Sequence, residues 1–309
     1  MEKVVVTGGM GFIGSHIVEE LLKKQYEVVV IDNESTGDRK NISHLPIEIC
    51  EMDITEPETI SAIKKINPDY IIHQAAQVSV SESIKDFLND ENINIKGGLN
   101  ILHGGIEAGV KKIVFASSAA VYGNPQYVPV DLKHSTNPES PYGLTKLMFE
   151  NYLKFANTFY GIDYCILRYS NVYGPRQNAK GEGGVISIFS DMLSSGKAPV
   201  IYGDGEQTRD FIYVGDIAKA NVQAITSKPN VCLNISSNSS ITINELFSTM
   251  KKITNSALDP VYEQERAGDI RHSVLCNNET KELLNWSPEM EIEEGLEKTV
   301  AFYRNSIHS

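Results

Sequence analysis

Six short apolar runs punctuate the first half of the chain: KVVVTG (3–8), EVVVID (27–32), IEICEMD (47–53), DYIIHQAA (69–76), KIVFASS (112–118) and DYCILRY (163–169). Each is rich in β-branched residues, which predicts strands buried on both faces of a sheet. Between them, residues 12–25, 56–66, 82–108 and 143–160 carry longer amphipathic patterns that predict helices. Strand and helix in alternation predict an α/β fold with a doubly wound parallel sheet and right-handed crossovers. After Asn171 the pattern loosens, and YGPRQNAKGEGG and GDGEQTRD are loop-rich. A main domain over 1–170 and a smaller C-terminal lobe over 171–309 are expected, with segments such as 212–226 returning to the sheet. The acidic stretch 289–297 predicts the solvated face of a helix.

The turn between the first strand and the first helix reads TGGMGFIG (7–14), with Gly8, Gly11 and Gly14 three apart. Glycines let the backbone turn tightly and approach a pyrophosphate, while the helix N-terminus offers unpaired N–H groups and a favourable dipole. Asp32 ends the second strand, where a carboxylate can bond both hydroxyls of a ribose and repel a 2′-phosphate. A Rossmann-type site for NAD rather than NADP follows, with Arg39 and Lys40 too distant to rescue a 2′-phosphate.

Composition narrows the partners. Of 309 residues, 41% are hydrophobic and 22% charged, and the net charge is -12. No basic stripe collects phosphates, so nucleic acid is excluded as a partner. An anionic ligand would have to be held by a few placed cations. Cys50, Cys165, Cys232 and Cys276 are widely spaced, without a CxxC pair, and read as buried free thiols. No metal-ligand cluster, signal peptide or membrane-spanning run is apparent, so a cytoplasmic protein without a metal is expected.

Candidate chemistry sits after the fifth strand. Ser118 lies at its C-terminal end, where open α/β sheets build their sites. Tyr142 and Lys146 stand four apart at the start of the predicted 143–160 helix and share a face. A free phenol loses its proton near pH 10, and an ammonium held close favours the phenolate. Serine can orient a hydroxyl, tyrosinate can remove its proton, and lysine can keep the phenol acidic. The trio suits hydride transfer between an alcohol carbon and a nicotinamide.

These motifs, in this order, resemble the extended short-chain dehydrogenases/reductases, and within them the nucleotide-sugar 4-epimerases of the UDP-glucose/UDP-galactose type. The resemblance runs nearly end to end. It rests on TGGxGFIG at 7–14, Asp53–Ile54, HxAA at 73–76, SSxxVYG at 117–123, YGxxK at 142–146, RYxNVYGP at 168–175, GDGxQTRDFIYV at 203–214 and RxGD at 266–269. On the cofactor side it implies contacts from Gly8, Gly11, Phe12, Ile13 and Gly14, and from Asp32 and Asn33. It places Asp53 and Ile54 against the adenine and Ala75 and Ala76 by the pyrophosphate. Gln77, Asn94, Tyr142, Lys146 and Tyr169 complete that set. On the substrate side it implies Ser118 and Tyr142 at the sugar, Asn171 on the phosphates, Arg209 and Arg266 as diphosphate cations, and Asp269 on the uridine ribose. Val185, Val200, Tyr202 and Ser273 would complete the substrate pocket. A homodimer through helices around 82–108 and 143–160 is also implied. One departure is Gln77, where the best-known bacterial enzymes of this type carry a lysine shortly after HxAA.

The reaction that the resemblance implies is reversible inversion at C4 of a UDP-hexose through a 4-keto sugar. Dehydration is disfavoured, because Ala119 and Ala120 stand where 4,6-dehydratases carry an acid pair. Decarboxylation is disfavoured for the same reason at Ala120. A non-catalytic NAD-binding sensor would be expected to lose the Tyr or Lys, and both are kept. Ser273, four positions after the Asp of RxGD, is small enough to leave room for an N-acetyl group, unless His272 fills the gap. UDP-glucuronate is an alternative substrate, with Arg176 or Arg271 meeting its carboxylate.

Overall fold

The structure, a computed structural model, describes residues 1–179, 183–265 and 270–307. The sequence candidates Arg266 and Asp269 lie outside the described residues. The first half runs β1 (Lys3–Thr7), α1 (Phe12–Lys23), β2 (Glu27–Asp32), β3 (Glu48–Glu51), α2 (Glu58–Ile66), β4 (Tyr70–His73), α3 (Val80–Lys85), α4 (Phe87–Glu91), α5 (Gly98–Ala108), β5 (Lys112–Ser118), α6 (Pro141–Tyr160) and β6 (Asp163–Tyr169). The helix expected over 82–108 is interrupted. Asp86 leaves the helical backbone, and its carboxylate caps α4 by accepting from the Asn89 N–H at 3.0 Å. A π-helical turn, Asn92–Gly97, then joins α4 to α5.

The second half runs β7 (Asn171–Tyr173), α7 (Val185–Ser194), β8 (Val200–Tyr202), β9 (Thr208–Arg209), β10 (Phe211–Tyr213), α8 (Val214–Thr226), β11 (Val231–Ile235), β12 (Ile241–Thr242), α9 (Ile243–Thr254), β13 (Val261–Glu263), β14 (His272–Ser273), α10 (Asn278–Leu284) and α11 (Ile292–Ile307). Seven strands form one parallel sheet in the order β11-β6-β5-β4-β1-β2-β3. Strand alternation splits its side chains between two cores. Val4, Val6, Val28, Val30, Val114 and Leu167 pack with α1 and α8 on one face. Val5, Val29, Ile71, Ile113, Phe115 and Ile166 pack with α2, α5 and α6 on the other.

The sheet takes back two pieces of the later half. α8 packs against α1, and β11 pairs with β6 as the seventh strand. A buried lysine fastens α8 in place. Lys112 Nζ, from β5, donates to the carbonyls of Ala224, Ile225 and Ser227 at 3.0, 2.8 and 2.7 Å. Those carbonyls end a helix and lack intrahelical donors, so a cation there is doubly favoured. The smaller lobe has its own core, built from α7, α9, α11, β7 and β10 around Phe189, Phe247 and Leu296. On α11, Glu293, Glu294 and Glu297 face solvent while Leu296 and Val300 are buried. The four cysteines are free, but only Cys165 is fully buried; Cys50, Cys232 and Cys276 are partly exposed. No helix among the described residues is long and apolar enough to cross a membrane.

Behind β5 lies a buried ion pair. Glu150 of α6, fully buried, accepts from Arg168 of β6 through two hydrogen bonds of 2.8 and 2.6 Å, and from the Ser117 hydroxyl at 2.6 Å. It locks α6 to β5 and β6. Removing one partner strands the other charge in the core, at a cost of about 3–5 kcal/mol. Glu150→Ala is therefore expected to lower the free energy of unfolding by that order. A loss below about 1 kcal/mol in equilibrium unfolding would show that water or a neighbour compensates Arg168.

Candidate active site

The strand order reverses between β1 and β4, and open α/β sheets bind ligands in the crevice beyond the strand ends at such a point. The glycine turn fills one wall. Gly8 has φ +70°, and a Cβ there would lie 2.7 Å from the Ala75 nitrogen; a Cβ on Gly14 would lie 2.0 Å from the Gly8 carbonyl oxygen. No other residue fits, so the turn is pressed against the 75–77 loop and its backbone faces the crevice. Gly11 is the N-cap of α1, and Phe12 and Ile13 open the helix. Asp32 accepts from the N–H groups of Met10 and Glu34, both at 2.9 Å. Its carboxylate thus shapes the glycine turn as well as standing at the end of β2. Arg39 is bound to Glu34 and Glu51, and this engagement disfavours a 2′-phosphate.

Further along the crevice, Asn33 donates to Asp53 at 2.9 Å. Burial raises the Asp53 carboxyl, but hydrogen bonds from Thr55 and Asn33 outweigh it and hold the group below its ordinary value. Ile54 is buried beside it. The Gln77 N–H donates to Asn94 Oδ1 at 2.9 Å, and Asn94 Nδ2 donates back to the Gln77 carbonyl at 3.1 Å. The Tyr169 hydroxyl is bound between Gln74 at 3.1 Å and Asn221 at 2.7 Å. That engagement, unforeseen in the sequence, fixes Tyr169 by its polar tip.

Ser118, Tyr142 and Lys146 come together at the end of β5. Ser140 caps α6 with a hydrogen bond from the Gly143 N–H, and Pro141 occupies the first turn, so the helix begins two residues earlier than its pattern predicts. Tyr142 and Lys146 therefore face the sheet one turn apart. Burial pushes the Tyr142 phenol up, and a hydrogen bond with the Ser118 side chain pulls it back. Lys146 Nζ donates to the Ala116 carbonyl at 2.9 Å and lies 5.7 Å from the centre of the Tyr142 ring. Burial lowers its pKa to about 8. His73 sits close by, its ring 5.8 Å from Phe115 and 5.4 Å from Phe149, with Nδ1 2.7 Å from Thr7 Oγ1. Burial and the neighbouring Lys146 hold His73 down near pH 3, so it stays neutral.

The smaller lobe contributes two clusters. Arg209 of β9 lies in register with Ile241 of β12 and with Ser273 of β14, and its Nη1 donates to the Thr208 carbonyl at 2.9 Å. His272 bonds Thr208 Oγ1 at 3.0 Å, and strand alternation puts it on the face opposite Ser273. Val200 and Tyr202 stand on β8 in a separate pair with β13, and Val185 opens α7. Asn171 donates its side-chain amide to the Asp210 carbonyl at 3.0 Å. Asp210 itself is fully buried, accepting from Ser237, Ser170 and the Leu275 N–H. Asp90 and Thr145, which no motif marks, hydrogen-bond each other at 2.8 Å beside Lys146 in sequence. Arg176 and Arg271 are engaged, Arg176 with Glu19 and Arg271 with Asp204 through two hydrogen bonds of 2.7 and 2.8 Å.

A glycine-turn dinucleotide crevice with a Ser-Tyr-Lys cluster at its mouth defines a nicotinamide-dependent enzyme of the short-chain dehydrogenase type. The chain belongs to the NAD dependent epimerase/dehydratase family, whose model matches residues 4–236. It is 35% identical over 309 residues to the UDP-glucose 4-epimerase of Mycolicibacterium smegmatis, covering 98% of this chain and 99% of that one. Its fold matches the UDP-glucose 4-epimerase of Thermotoga maritima, solved with UDP-glucose, with a TM-score of 0.96, 40% identity and 99% of each chain covered. It also matches the UDP-N-acetylglucosamine 4-epimerase of Methanobrevibacter ruminantium, in complex with UDP-N-acetylmuramic acid, with a TM-score of 0.94, 39% identity and 99% of each chain covered. The residues present fit NAD: Gly8 and Gly14 admit no Cβ, the turn leads into the N-terminus of α1, and Asp32 ends β2 with its carboxylate on the Met10 N–H of that turn.

Lys146 is charged below about pH 8 and loses its proton above it. Activity that depends on the ammonium should fall as pH rises through that value. Tyr142→Phe should lower turnover by about two or more orders of magnitude with an unchanged melting temperature. A pH profile flat to pH 10 would show that activity does not depend on the Lys146 ammonium, and near wild-type turnover in Tyr142→Phe would show that another group moves the proton.

Proposed function

We propose that the chain inverts C4 of a UDP-hexose reversibly, with NAD as its resident cofactor. The observation that carries this reading is the Ser118–Tyr142–Lys146 cluster at the end of β5, beside a glycine cradle built for a pyrophosphate. The Mycolicibacterium smegmatis, Thermotoga maritima and Methanobrevibacter ruminantium relatives are UDP-sugar 4-epimerases, and each matches nearly the whole length of the chain. Ala119 and Ala120 follow Ser118 in a tight 3-10 turn, which leaves that position without the acid that dehydration or decarboxylation requires.

Ser118 holds the 4-hydroxyl, and later the 4-keto oxygen, by hydrogen bonding. Tyr142 takes the hydroxyl proton and returns it at the end of the cycle. Lys146 favours the phenolate through its charge. Bound NAD supplies the acceptor and donor of hydride at C4 and, while oxidised, a positive charge that adds to that of Lys146. Inversion requires the keto sugar to turn about its link to the diphosphate. Arg209 is the described cation proposed to hold that diphosphate while the sugar turns. Gly8, Gly11 and Gly14 would hold the pyrophosphate, Asp32 the ribose, and Asp53 and Ile54 the adenine.

Two observations favour a pocket open to N-acetylated sugars. Ser273 is short, and His272, the side chain that could have filled its gap, is drawn to Thr208 on the opposite face. Asp204 already holds Arg271 through two hydrogen bonds, which weakens the glucuronate alternative at that residue. A panel of UDP-hexoses should show 4-epimers from both UDP-Glc and UDP-GlcNAc. Ser273→Tyr should remove the acetylated activity and spare the plain one. Turnover of UDP-glucuronate alone would replace the substrate assigned here.

A homodimer is proposed through α3, α4 and α6. Leu144, Met148, Tyr152, Phe155 and Phe159 form one exposed apolar stripe on α6, and Ile84, Phe87 and Leu88 expose another on α3 and α4 beside it. A solvated face of that size marks an interface. Light scattering should give twice the chain mass, and Phe155→Lys should move it toward one chain. A wild-type monomer at micromolar concentration would remove the dimer. A cytoplasmic setting accords with the free thiols.

A further inference from the structure

Lys146 carries its charge where water barely reaches, at 4% exposure. Its Nζ lies 5.0 Å from the Phe115 ring centre and 5.7 Å from that of Tyr142. The titratable groups around it are few. Tyr142 stands one turn earlier on α6. His73 comes from β4 and stays neutral. Glu150, one turn later on α6, is already paired with Arg168. Asp90 comes from α4, and its negative charge favours the ammonium.

Asp90 is fully buried. One carboxylate oxygen accepts from Gln77 Nε2 at 2.9 Å and Asn94 Nδ2 at 3.1 Å, and the other accepts from Thr145 Oγ1 at 2.8 Å. All three donors are neutral. An ionised carboxylate so far from water needs a cation as well. Burial raises the Asp90 carboxyl above its ordinary value, and the three hydrogen bonds together with the charge of Lys146, the residue next to Thr145, pull it back. Burial of Asp90 therefore serves the site in two ways, as a charge and as a mechanical joint.

We propose that Asp90 is a positioning residue of this site: it is the buried counter-charge that keeps Lys146 an ammonium, and through Gln77, Asn94 and Thr145 it locks the 75–77 loop to the turn of α6 bearing Tyr142 and Lys146. The inference rests on the roles assigned above to Tyr142 and Lys146. Removing the negative charge leaves desolvation unopposed, so the Lys146 midpoint must fall. A cation placed on Asp90 from position 77 would compete with Lys146 and act in the same direction.

The test is an NMR titration of lysines labelled at Cε in the protein as purified, with Lys146 assigned by its absence in Lys146→Arg. The wild-type midpoint is expected near 8. Asp90→Asn should lower it by about one unit or more, a tenfold change in the protonation equilibrium. Gln77→Lys should also lower it while keeping the carboxylate. The alkaline limb of kcat/KM should move with the midpoint, and the substrate KM should change less than about twofold. An unmoved Lys146 midpoint in folded Asp90→Asn overturns the counter-charge. If Asp90→Asn does not fold, Gln77→Lys decides, and an unmoved midpoint there overturns it equally. The titration needs no turnover. A wild-type protein that inverts no UDP-hexose would therefore sink the proposed reaction while the Lys146 midpoints still judged Asp90.

Discussion

Lys146 is a cation held out of water, and taking an ammonium from water into a protein interior costs several kcal/mol unless the surroundings restore what hydration supplied. The surroundings here do so from three directions. The Ala116 carbonyl near the end of β5 accepts a hydrogen bond from it, the rings of Phe115 and Tyr142 lie beside it, and Asp90 supplies opposite charge. Those groups come from three elements, so the arrangement exists only when β5, α4 and α6 are all docked. Tyr142, Lys146 and Glu150 recur every four residues and form one polar seam on α6 against β5 and β6. Phe149, Leu153 and Ala156 carry the apolar contact beside it. The Glu150–Arg168 pair fixes the far end of that seam, and the Ser140 cap fixes the near end. The helix cannot slide without leaving a charge unpaired, and this sets where Tyr142 meets Ser118.

Much of this was legible in the order of residues, for a physical reason. β-branched runs and amphipathic stretches report burial directly, so the first six strands and the helices between them follow from pattern alone. The glycine turn was legible because steric exclusion leaves no choice at Gly8 and Gly14. The start of α6 was misplaced by two residues, because a serine cap and a proline at the first turn act before the apolar period begins. The break at Asp86 was hidden inside a continuous amphipathic pattern, since one capping carboxylate is enough to end α3 and start α4.

Asp90 shows the deeper limit. In DFLNDENINIK it is one of three acids in a short stretch, and it looks like its neighbours on a solvated face. Asp86 and Glu91 are exposed, while Asp90 is fully buried. Only the packing of α4 against α6 separates them. The strands of two and three residues in the smaller lobe were equally silent, because such short runs have no period to detect. Arg266 and Asp269, read from a motif, lie outside the described residues.

On the proposed reading the two lobes divide chemistry from selection. The proposed chemistry stands on the ends of a seven-stranded sheet, where Lys146 and Glu150 are each compensated from more than one element. Selection is assigned to β9 and β14, two-residue strands whose register alone brings Arg209 beside Ser273. On the proposed reading a substitution at 273 changes the volume of a pocket edge, and Ser273 makes none of the contacts that compensate Lys146. Substrate range can therefore shift by a single side chain while the proton-transfer machinery stays in balance. The converse does not hold, because a change at Asp90, Glu150 or Arg168 disturbs the charges behind Tyr142 whatever sugar is bound. The same logic accounts for an acidic protein serving an anionic substrate. On the proposed reading attraction is local to a cation such as Arg209, held by backbone pairing on both sides, and the overall charge of -12 does not decide binding at so short a range.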